Sequence, residues 1–281
     1  MKYIFFGTPR FAEIVLAGLI ADIGAPIAVV TNPDRPAGRK KVITPPPVKL
    51  LAIRTSPDID IIQSEALDDA FLKRLAALEP DLFVVAAFAK IIPAAALPIP
   101  RHGAIGVHPS LLPHYRGASP IQSAILDGAT ATGTTIYTMD EKMDHGPILA
   151  QASVGPAAAP YPALEATLAK LGATLVAQAM QAVMAGTATP RPQDETQATY
   201  TQKFKTEDAF IAPEDLAAAR AGTSPDTASA ILRKIYAFTP EPGAWTLQDG
   251  KRMKLLDATL TGGRLILRET QRDGEKPKTA P

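Results

Sequence analysis

Cysteine is absent from the sequence. The chain therefore has no disulfide framework, no thiolate nucleophile and no cysteine-ligated zinc. Disulfides are also unnecessary at this length, because 281 residues can bury a substantial hydrophobic core. These features favour a cytoplasmic protein, and two domains fit the length better than one.

The sequence has little excess charge of either sign, with 29 Lys and Arg against 28 Asp and Glu. A nucleic-acid partner would therefore be held by local basic patches and not by the overall field. The segment "NPDRPAGRKK" is such a patch, since it combines turn residues with Arg35, Arg39, Lys40 and Lys41. A solvated surface loop explains this segment, and so does a loop that contacts nucleic-acid phosphates.

Long uninterrupted apolar runs are also missing. The longest apolar tract, "LFVVAAFAKIIPAAALPI", contains Lys90 and Pro93 and predicts a buried strand followed by a loop, not a membrane span. The first twenty residues are interrupted by Arg10 and Glu13 and precede no small-residue cleavage pattern, so we expect no signal peptide.

Short β-rich runs alternate with helical stretches from the start of the chain to about residue 188. This alternation predicts an α/β domain with a mostly parallel sheet covered on both faces. The predicted strands are KYIFF, PIAVVT, DIIQ, DLFVVAAF, AIGVH, GTTIYTM and ILAQASV. The predicted helices are residues 10–21, 66–77, 119–127 and 161–186.

A polar segment without periodicity, residues 189–205, predicts a linker between a domain at 1–188 and a second domain at 206–281. In the second domain, a helix is predicted at 225–236. Three short strands follow, AWTLQD, RMKLLDATL and RLILRET, separated by Asp-Gly and Gly-Gly turns. A small β-barrel is therefore predicted, with a disordered tail after residue 270.

His108 ends the predicted strand "AIGVH", at the edge where ligands bind to parallel sheets. Alternate residues of a strand share a face, so Gly106 points the same way as His108 and is expected to leave open space beside the imidazole. A structural hydrogen bond explains a histidine at a strand end as well as proton transfer does.

Asp140 and Asp144 follow the next strand, in "MDEKMDHGPI". A carboxylate near His108 would fix which ring nitrogen carries the proton, and Asp144 is preferred because the loop before Gly146 can turn inward. Ordinary turn chemistry also explains an aspartate here. All four histidines lie between residues 102 and 145, but their spacing matches no usual ligand pattern, so we expect no metal site.

The motif "HPSLLPHYRGASPIQ", followed by "TGTTIYTMDEKMDHGPI", resembles the folate-dependent formyltransferases. The segments "FFGTPRFA", "TNPDRPAGRKK", "PQDETQATYTQK" and "FTPEPGAW" resemble, in order, the branch of that family that acts on methionyl initiator tRNA. The resemblance covers nearly the whole chain. It implies a Rossmann-like N-terminal domain, where 10-formyltetrahydrofolate gives its formyl group to the methionine α-amine. It also implies a smaller OB-like β-barrel C-terminal domain that helps to hold tRNA, and we expect this domain to be shortened here.

The resemblance also assigns residues of this sequence to roles. It implies a catalytic set of His108, Asp144 and position 106. It implies a folate site formed by Ser110, Leu111, Leu112, Pro113, Phe88, Ile91 and Ile92. It implies that the loop carrying Arg35, Arg39, Lys40 and Lys41 reaches the tRNA, with Lys251, Arg252 and Lys254 as further phosphate contacts. We expect a monomer.

Gly106 departs from the family pattern, because the resemblance implies an asparagine there, in an N-x-H motif. Losing one donor to a developing oxyanion typically costs about 10²–10³ in rate. The alternatives are a slow enzyme, an enzyme with a substitute donor, and a folate- or RNA-binding protein without catalysis. We favour a substitute donor, either a backbone N–H or an ordered water in the vacated space. A formyltransferase acting on an amino-sugar nucleotide or another small amine is the alternative for the substrate.

Overall fold

The computed structural model describes residues 1–38 and 41–279. The chain divides into two compact units. The larger unit comprises residues 1–117, 133–154 and 166–200, and the smaller unit comprises residues 118–132, 155–165 and those from 201 onward. The expected domains, 1–188 and 206–281 with a linker at 189–205, stay a prediction, since the compact units follow other boundaries.

Strands occur in both units. In chain order they are β1 (Tyr3–Gly7), β2 (Ala28–Thr31), β3 (Arg35–Ala37), β4 (Val42–Thr44), β5 (Asp60–Gln63), β6 (Leu82–Ala86), β7 (Ala104–His108), β8 (Arg116–Gly117), β9 (Thr132–Thr138), β10 (Ile148–Gly155), β11 (Tyr200–Thr201), β12 (Ala244–Gln248), β13 (Lys251–Thr261), β14 (Arg264–Arg272) and β15 (Lys278–Thr279). The α-helices are α1 (Arg10–Asp22), α2 (Pro47–Thr55), α3 (Asp69–Ala77), α4 (Pro120–Asp127), α5 (Tyr161–Met184), α6 (Pro213–Ala221) and α7 (Pro225–Phe238).

The main sheet has the strand order β10-β9-β7-β6-β1-β2-β5. Strands β7, β6, β1, β2 and β5 run parallel, whereas β9 pairs antiparallel with β7. The nearly continuous apolar sequences of β1, β2, β6 and β7 suit strands that are buried on both faces. The predicted α/β class with a mostly parallel sheet is confirmed, and it brings the end of β7 beside β9.

Side chains pack tightly on both faces of this sheet. On one face, Phe6 lies against Phe83 and Phe88, with ring centroids 4.9 and 5.4 Å apart. On the other face, a β-carbon at Gly172 of α5 would lie 2.9 Å from Val107 Cγ1 on β7. A larger residue at 172 would therefore push the helix away from the strand that ends at His108.

The smaller unit contains an antiparallel sheet with the order β12-β13-β14-β15, so the separate β-rich C-terminal region is confirmed. Helices α6 and α7 bury apolar residues against this sheet, including Leu216 and Ile235. The prediction of a disordered tail after residue 270 was wrong for 271–272 and 278–279, because β14 extends to Arg272 and β15 pairs with it.

Candidate active site

His108 is buried at the carboxyl end of β7, with 6% of its surface exposed. Its Nε2 lies 2.8 Å from the carbonyl oxygen of Tyr115. A carbonyl oxygen can only accept a hydrogen bond, so Nε2 carries the ring proton and is the donor to the Tyr115 carbonyl. The tautomer of the neutral ring is therefore set by a backbone carbonyl, and not by Asp144 as expected. Nδ1 is left as the nitrogen that can gain a proton.

Asp144 faces that second nitrogen. Its Oδ2 lies 3.6 Å from His108 Nδ1, and the two side chains are only 16% and 8% exposed. The backbone N–H of Gly117 donates to the same carboxylate oxygen at 2.7 Å, and the hydroxyl of Tyr137 donates to Oδ1 at 2.7 Å. A proton that arrives on Nδ1 therefore meets a carboxylate that is already fixed in place.

The backbone around His108 is strained. Tyr115 and Asp144 both adopt left-handed conformations, with φ of 60° and 50°. A non-glycine residue in this region costs on the order of 1–3 kcal/mol, and such residues cluster at functional sites. Here the strained backbone directs one carbonyl and one carboxylate at the two nitrogens of the same imidazole.

Asp140, the other aspartate considered, belongs to a different pair. Its Oδ2 lies 2.6 Å from Nδ1 of His145, and its Oδ1 accepts a hydrogen bond from the backbone of Lys142. The carboxylate of Asp140 is therefore committed to its own loop, whereas Asp144 lies beside His108.

The space beside Gly106 is filled, and the expectation of open space there was wrong. Gly106 pairs with Tyr137 across β7 and β9, so both point to the same face. A β-carbon at 106 would lie 2.5 Å from Cζ and 2.7 Å from the hydroxyl oxygen of Tyr137. The tyrosine ring therefore occupies the volume of a larger side chain at 106, and a water cannot occupy the same volume.

The Ser-Leu-Leu-Pro turn is held by hydrogen bonds to strand β9 and within the turn itself. Thr135 on β9 donates to the carbonyl of Ser110 at 2.7 Å and accepts from the N–H of Leu112 at 3.1 Å. Ser110 and Leu112 are buried, and the Ser110 hydroxyl donates to the carbonyl of His114. Leu111 and Pro113 are half-buried and present the outer surface of this turn.

The segment after β6 contributes unequally to the surface. Phe88 is buried in the core of the sheet, Ile92 is half-buried against the same core, and Ile91 is 86% exposed. Ile91 therefore offers apolar surface to a ligand, whereas Phe88 supports the loop from below.

The basic segment forms a hairpin of β3 and β4. Arg35 is exposed and pairs with Glu65 at 2.5 Å, and Lys41 is exposed in the turn just before β4. Arg39 and Lys40 lie outside the residues that the structure describes.

The second group of basic residues lies in the smaller unit. Lys251 is exposed, and the Arg252 guanidinium stacks 4.5 Å from the centre of the Trp245 ring. The side-chain nitrogen of Lys254 lies 3.9 Å from the carboxylate of Glu241.

Arg116 is a site residue that the sequence did not reveal. Its side chain is fully buried, and its guanidinium donates to Glu195 at 2.6 and 3.0 Å and to Gln193 at 2.8 Å. The Gln193 amide in turn donates to the carbonyls of Asp144 and Gly146 at 2.9 and 2.8 Å. Arg116 therefore holds the segment 193–195, and Gln193 of that segment holds the loop of Asp144. These contacts connect the motif "RGASPIQ" with the motif "PQDETQATYTQK".

The pair of Arg116 and Glu195 makes stability depend on pH. Hydrogen bonds from Arg116 lower the pKa of Glu195 below its ordinary value of 4.5. A lowered folded-state pKa gives stability that is complete above the ordinary pKa and is lost as the pH falls through the lowered value. We therefore expect the stability difference between wild type and Glu195→Gln to shrink from neutral pH to about pH 3. Urea unfolding of both proteins measures this difference, and an equal difference at both pH values contradicts it.

The described residues provide neither a metal-binding cluster nor a membrane-spanning helix. No group of three or more His, Asp or Glu side chains is arranged to hold a metal ion in residues 1–38 and 41–279. Among the helices of the same residues, none is long and apolar enough to cross a membrane.

Comparisons with known proteins match both parts of the chain. Residues 1–179 match the family model described as formyl transferase, and residues 225–274 match the formyl transferase C-terminal domain. A methionyl-tRNA formyltransferase of Chloroflexus aurantiacus is 41% identical over 262 residues, covering 92% of this chain and 80% of that protein.

Two solved structures share the fold at low identity. The methionyl-tRNA formyltransferase of Clostridium thermocellum has a TM-score of 0.62 at 16% identity, covering 97% of this chain and 99% of that chain. HypX of Aquifex aeolicus in complex with tetrahydrofolic acid has a TM-score of 0.65 at 16% identity, covering 100% of this chain and 46% of that chain.

Proposed function

The chain belongs to the formyl transferase family, and from this membership we propose that it transfers the formyl group of 10-formyltetrahydrofolate to the α-amine of methionine on initiator tRNA. The observation that carries the proposal is the 41% identity to a methionyl-tRNA formyltransferase over 92% of the chain. The pair of His108 and Asp144 at the end of β7 supplies a proton acceptor suited to that reaction.

The reaction needs one bond to form, one bond to break and one proton to move. The amine nitrogen attacks the formyl carbon, and the bond between that carbon and N10 of the folate then breaks. The amine loses a proton as it attacks, and the departing N10 gains one. No metal and no covalent enzyme intermediate are needed, so the protein mainly orients the reactants, excludes water and carries the proton.

His108 carries the proton through Nδ1 in this proposal. Nε2 is committed to the Tyr115 carbonyl, so Nδ1 receives the proton of the attacking amine. The imidazolium that forms is paired with Asp144 Oδ2, 3.6 Å away. Delivery of this proton to N10 completes the transfer, and the histidine returns to its neutral form.

The proposed folate site is the surface around the Ser-Leu-Leu-Pro turn. Leu111, Pro113 and Ile91 present half-buried or exposed apolar surface that suits a planar heterocycle. Ser110, Leu112, Phe88 and Ile92 support that surface from below. A folate-binding neighbour of the same fold agrees with a folate co-substrate.

The substrate is tested by offering different amines. The protein is incubated with 10-formyltetrahydrofolate and, in parallel, methionyl initiator tRNA, an amino-sugar nucleotide, glycinamide ribonucleotide or no acceptor. We expect formyl-methionine on the tRNA and no formylated small amine. Transfer to a small amine alone would favour the alternative substrate. Folate binding by calorimetry with no transfer to any acceptor would favour a binding protein.

We place tRNA contacts on the hairpin of β3 and β4, with Arg35, Lys41 and the neighbouring Arg39 and Lys40. Lys41→Ala is expected to weaken tRNA binding. The negative slope of the logarithm of the association constant against log salt should become shallower by about 0.7–0.9, as for one lost phosphate contact. Lys170→Ala removes an exposed lysine of α5 and is the matched control. An unchanged slope for Lys41→Ala, measured by filter binding across salt concentrations, would remove Lys41 from the interface.

The remaining expectations belong to the same proposal. The protein acts in the cytoplasm, where charged initiator tRNA is used, and it acts as a monomer. Sedimentation analysis measures the oligomeric state directly.

A further inference from the structure

Gly106 and Tyr137 are complementary in shape. They lie directly opposite each other on β7 and β9, and the end of the tyrosine ring lies where a side chain at 106 would begin. Tyr137 is 5% exposed and packs with Leu112 and Ile148, so the ring has little room to move aside. The ring and a β-carbon at 106 therefore exclude each other.

The Tyr137 hydroxyl is committed to Asp144. Burial, followed by the charge of Asp144, raises the pKa of Tyr137 well above its ordinary value of 10.0, so the phenol keeps its proton at neutral pH. That single proton is donated to Asp144 Oδ1 at 2.7 Å. A phenol has only one proton to donate, so Tyr137 acts through Asp144 and not as a second donor toward a formyl oxygen.

From this geometry, we infer that Gly106 and Tyr137 form a matched pair in which the Tyr137 hydroxyl positions Asp144 beside His108, taking over the space of a side chain at 106. The inference rests on the proposed function for its effect on catalysis. Tyr137 is a positioning residue in this account, and Gly106 is required because any β-carbon there displaces the ring. A larger residue at 106 therefore requires a smaller residue at 137.

The pairing is tested first by stability, which needs no assumption about activity. Gly106→Ala is expected to lower Tm by about 3–6 °C, because the added methyl group overpacks a buried ring. The same substitution made together with Tyr137→Leu is expected to cost at most about 2 °C beyond Tyr137→Leu alone. An equal Tm loss in both backgrounds would overturn the matched pair.

Positioning is tested with Tyr137→Phe, which keeps the ring and removes the hydroxyl. A hydrogen bond to a charged acceptor is lost, so kcat is expected to fall about 10- to 100-fold while KM for the folate is unchanged. Tyr3→Phe is the matched control, because the Tyr3 hydroxyl is also buried and donates at 2.7 Å, to the Gly24 carbonyl in the same unit. A kcat for Tyr137→Phe equal to that of Tyr3→Phe would overturn the positioning role.

A readout independent of catalysis separates this inference from the proposed function. The Gly117 N–H donates to Asp144 Oδ2, so its hydrogen-exchange protection reports where that carboxylate lies. We expect protection of Gly117 to fall about tenfold in Tyr137→Phe and to stay unchanged in Tyr3→Phe. If the wild type transfers no formyl group but protection falls, the proposed function fails and the positioning stands. If transfer is present and neither kcat nor protection changes, the positioning fails and the function stands.

Discussion

Replacing His108 with glutamine is expected to lower kcat for formyl transfer by about 10²–10⁴, the usual contribution of a positioned proton carrier. The glutamine amide can still donate to the Tyr115 carbonyl, so the substitution preserves the hydrogen bond that orients the side chain. It removes the nitrogen that accepts a proton beside Asp144. KM for folate is expected to change little, because the imidazole is proposed to act on the proton and not to bind the cofactor.

The control for this variant is His102→Gln, which changes an exposed histidine just before β7. Steady-state kinetics with methionyl initiator tRNA compare the two variants with wild type. A His108→Gln enzyme that retains wild-type kcat would show that His108 has only a structural role, the other explanation for a histidine at a strand end.

Arg116→Ala is expected to destabilise the protein by about 2–4 kcal/mol, the largest stability effect that we predict for one substitution. The change removes a fully buried guanidinium and its charge-assisted hydrogen bonds to Glu195 and Gln193. Glu195 is 54% exposed and stays solvated, so the cost should lie below that of leaving a fully buried charge unpaired. Gln193 would also lose its anchor, which loosens the loop of Asp144 and lowers kcat.

Urea unfolding measures this effect, with Arg74→Ala as the control. Arg74 pairs with Asp60 at 2.7 Å, but the two side chains are 52% and 38% exposed, and such a pair contributes less than about 1 kcal/mol. Equal losses in the two variants would mean that Arg116 contributes no more than a surface ion pair. That result would contradict its role in holding the segment 193–195 against the loop of Asp144.

The main sheet was predictable because its strands are short apolar runs between turn residues. Strand β6 is an example, since "LFVVA" is almost entirely buried and its sequence has no polar alternation. Helix α6 was missed because "PEDLAAARA" buries only Leu216 and Ala219 and shows no apolar stripe. Strand β15 was missed because it has two residues, and pairing across the sheet defines it more than composition does.

The sequence predicted only those site residues that lie at or just after the end of a predicted strand. His108 and Asp144 could be proposed because each lies at or after the end of a predicted strand, where side chains converge. The role of Tyr137 depends on the register of β7 against β9, which brings it opposite Gly106. Arg116 and Glu195 are 79 residues apart in sequence, and no local pattern predicts their contact. The sequence therefore showed that position 106 has no side chain, but not that the Tyr137 ring fills the space.

The central claim is that His108 and Asp144 act as one unit in formyl transfer. The most direct test is a double-mutant cycle on the single-turnover rate of transfer from 10-formyltetrahydrofolate to methionyl initiator tRNA, using His108→Gln, Asp144→Asn and the double variant. Residues that act together are strongly non-additive, so the double variant is expected to be no more than a few-fold slower than the slower single variant. Two losses that multiply in the double variant, or no loss in either single variant, would contradict the account.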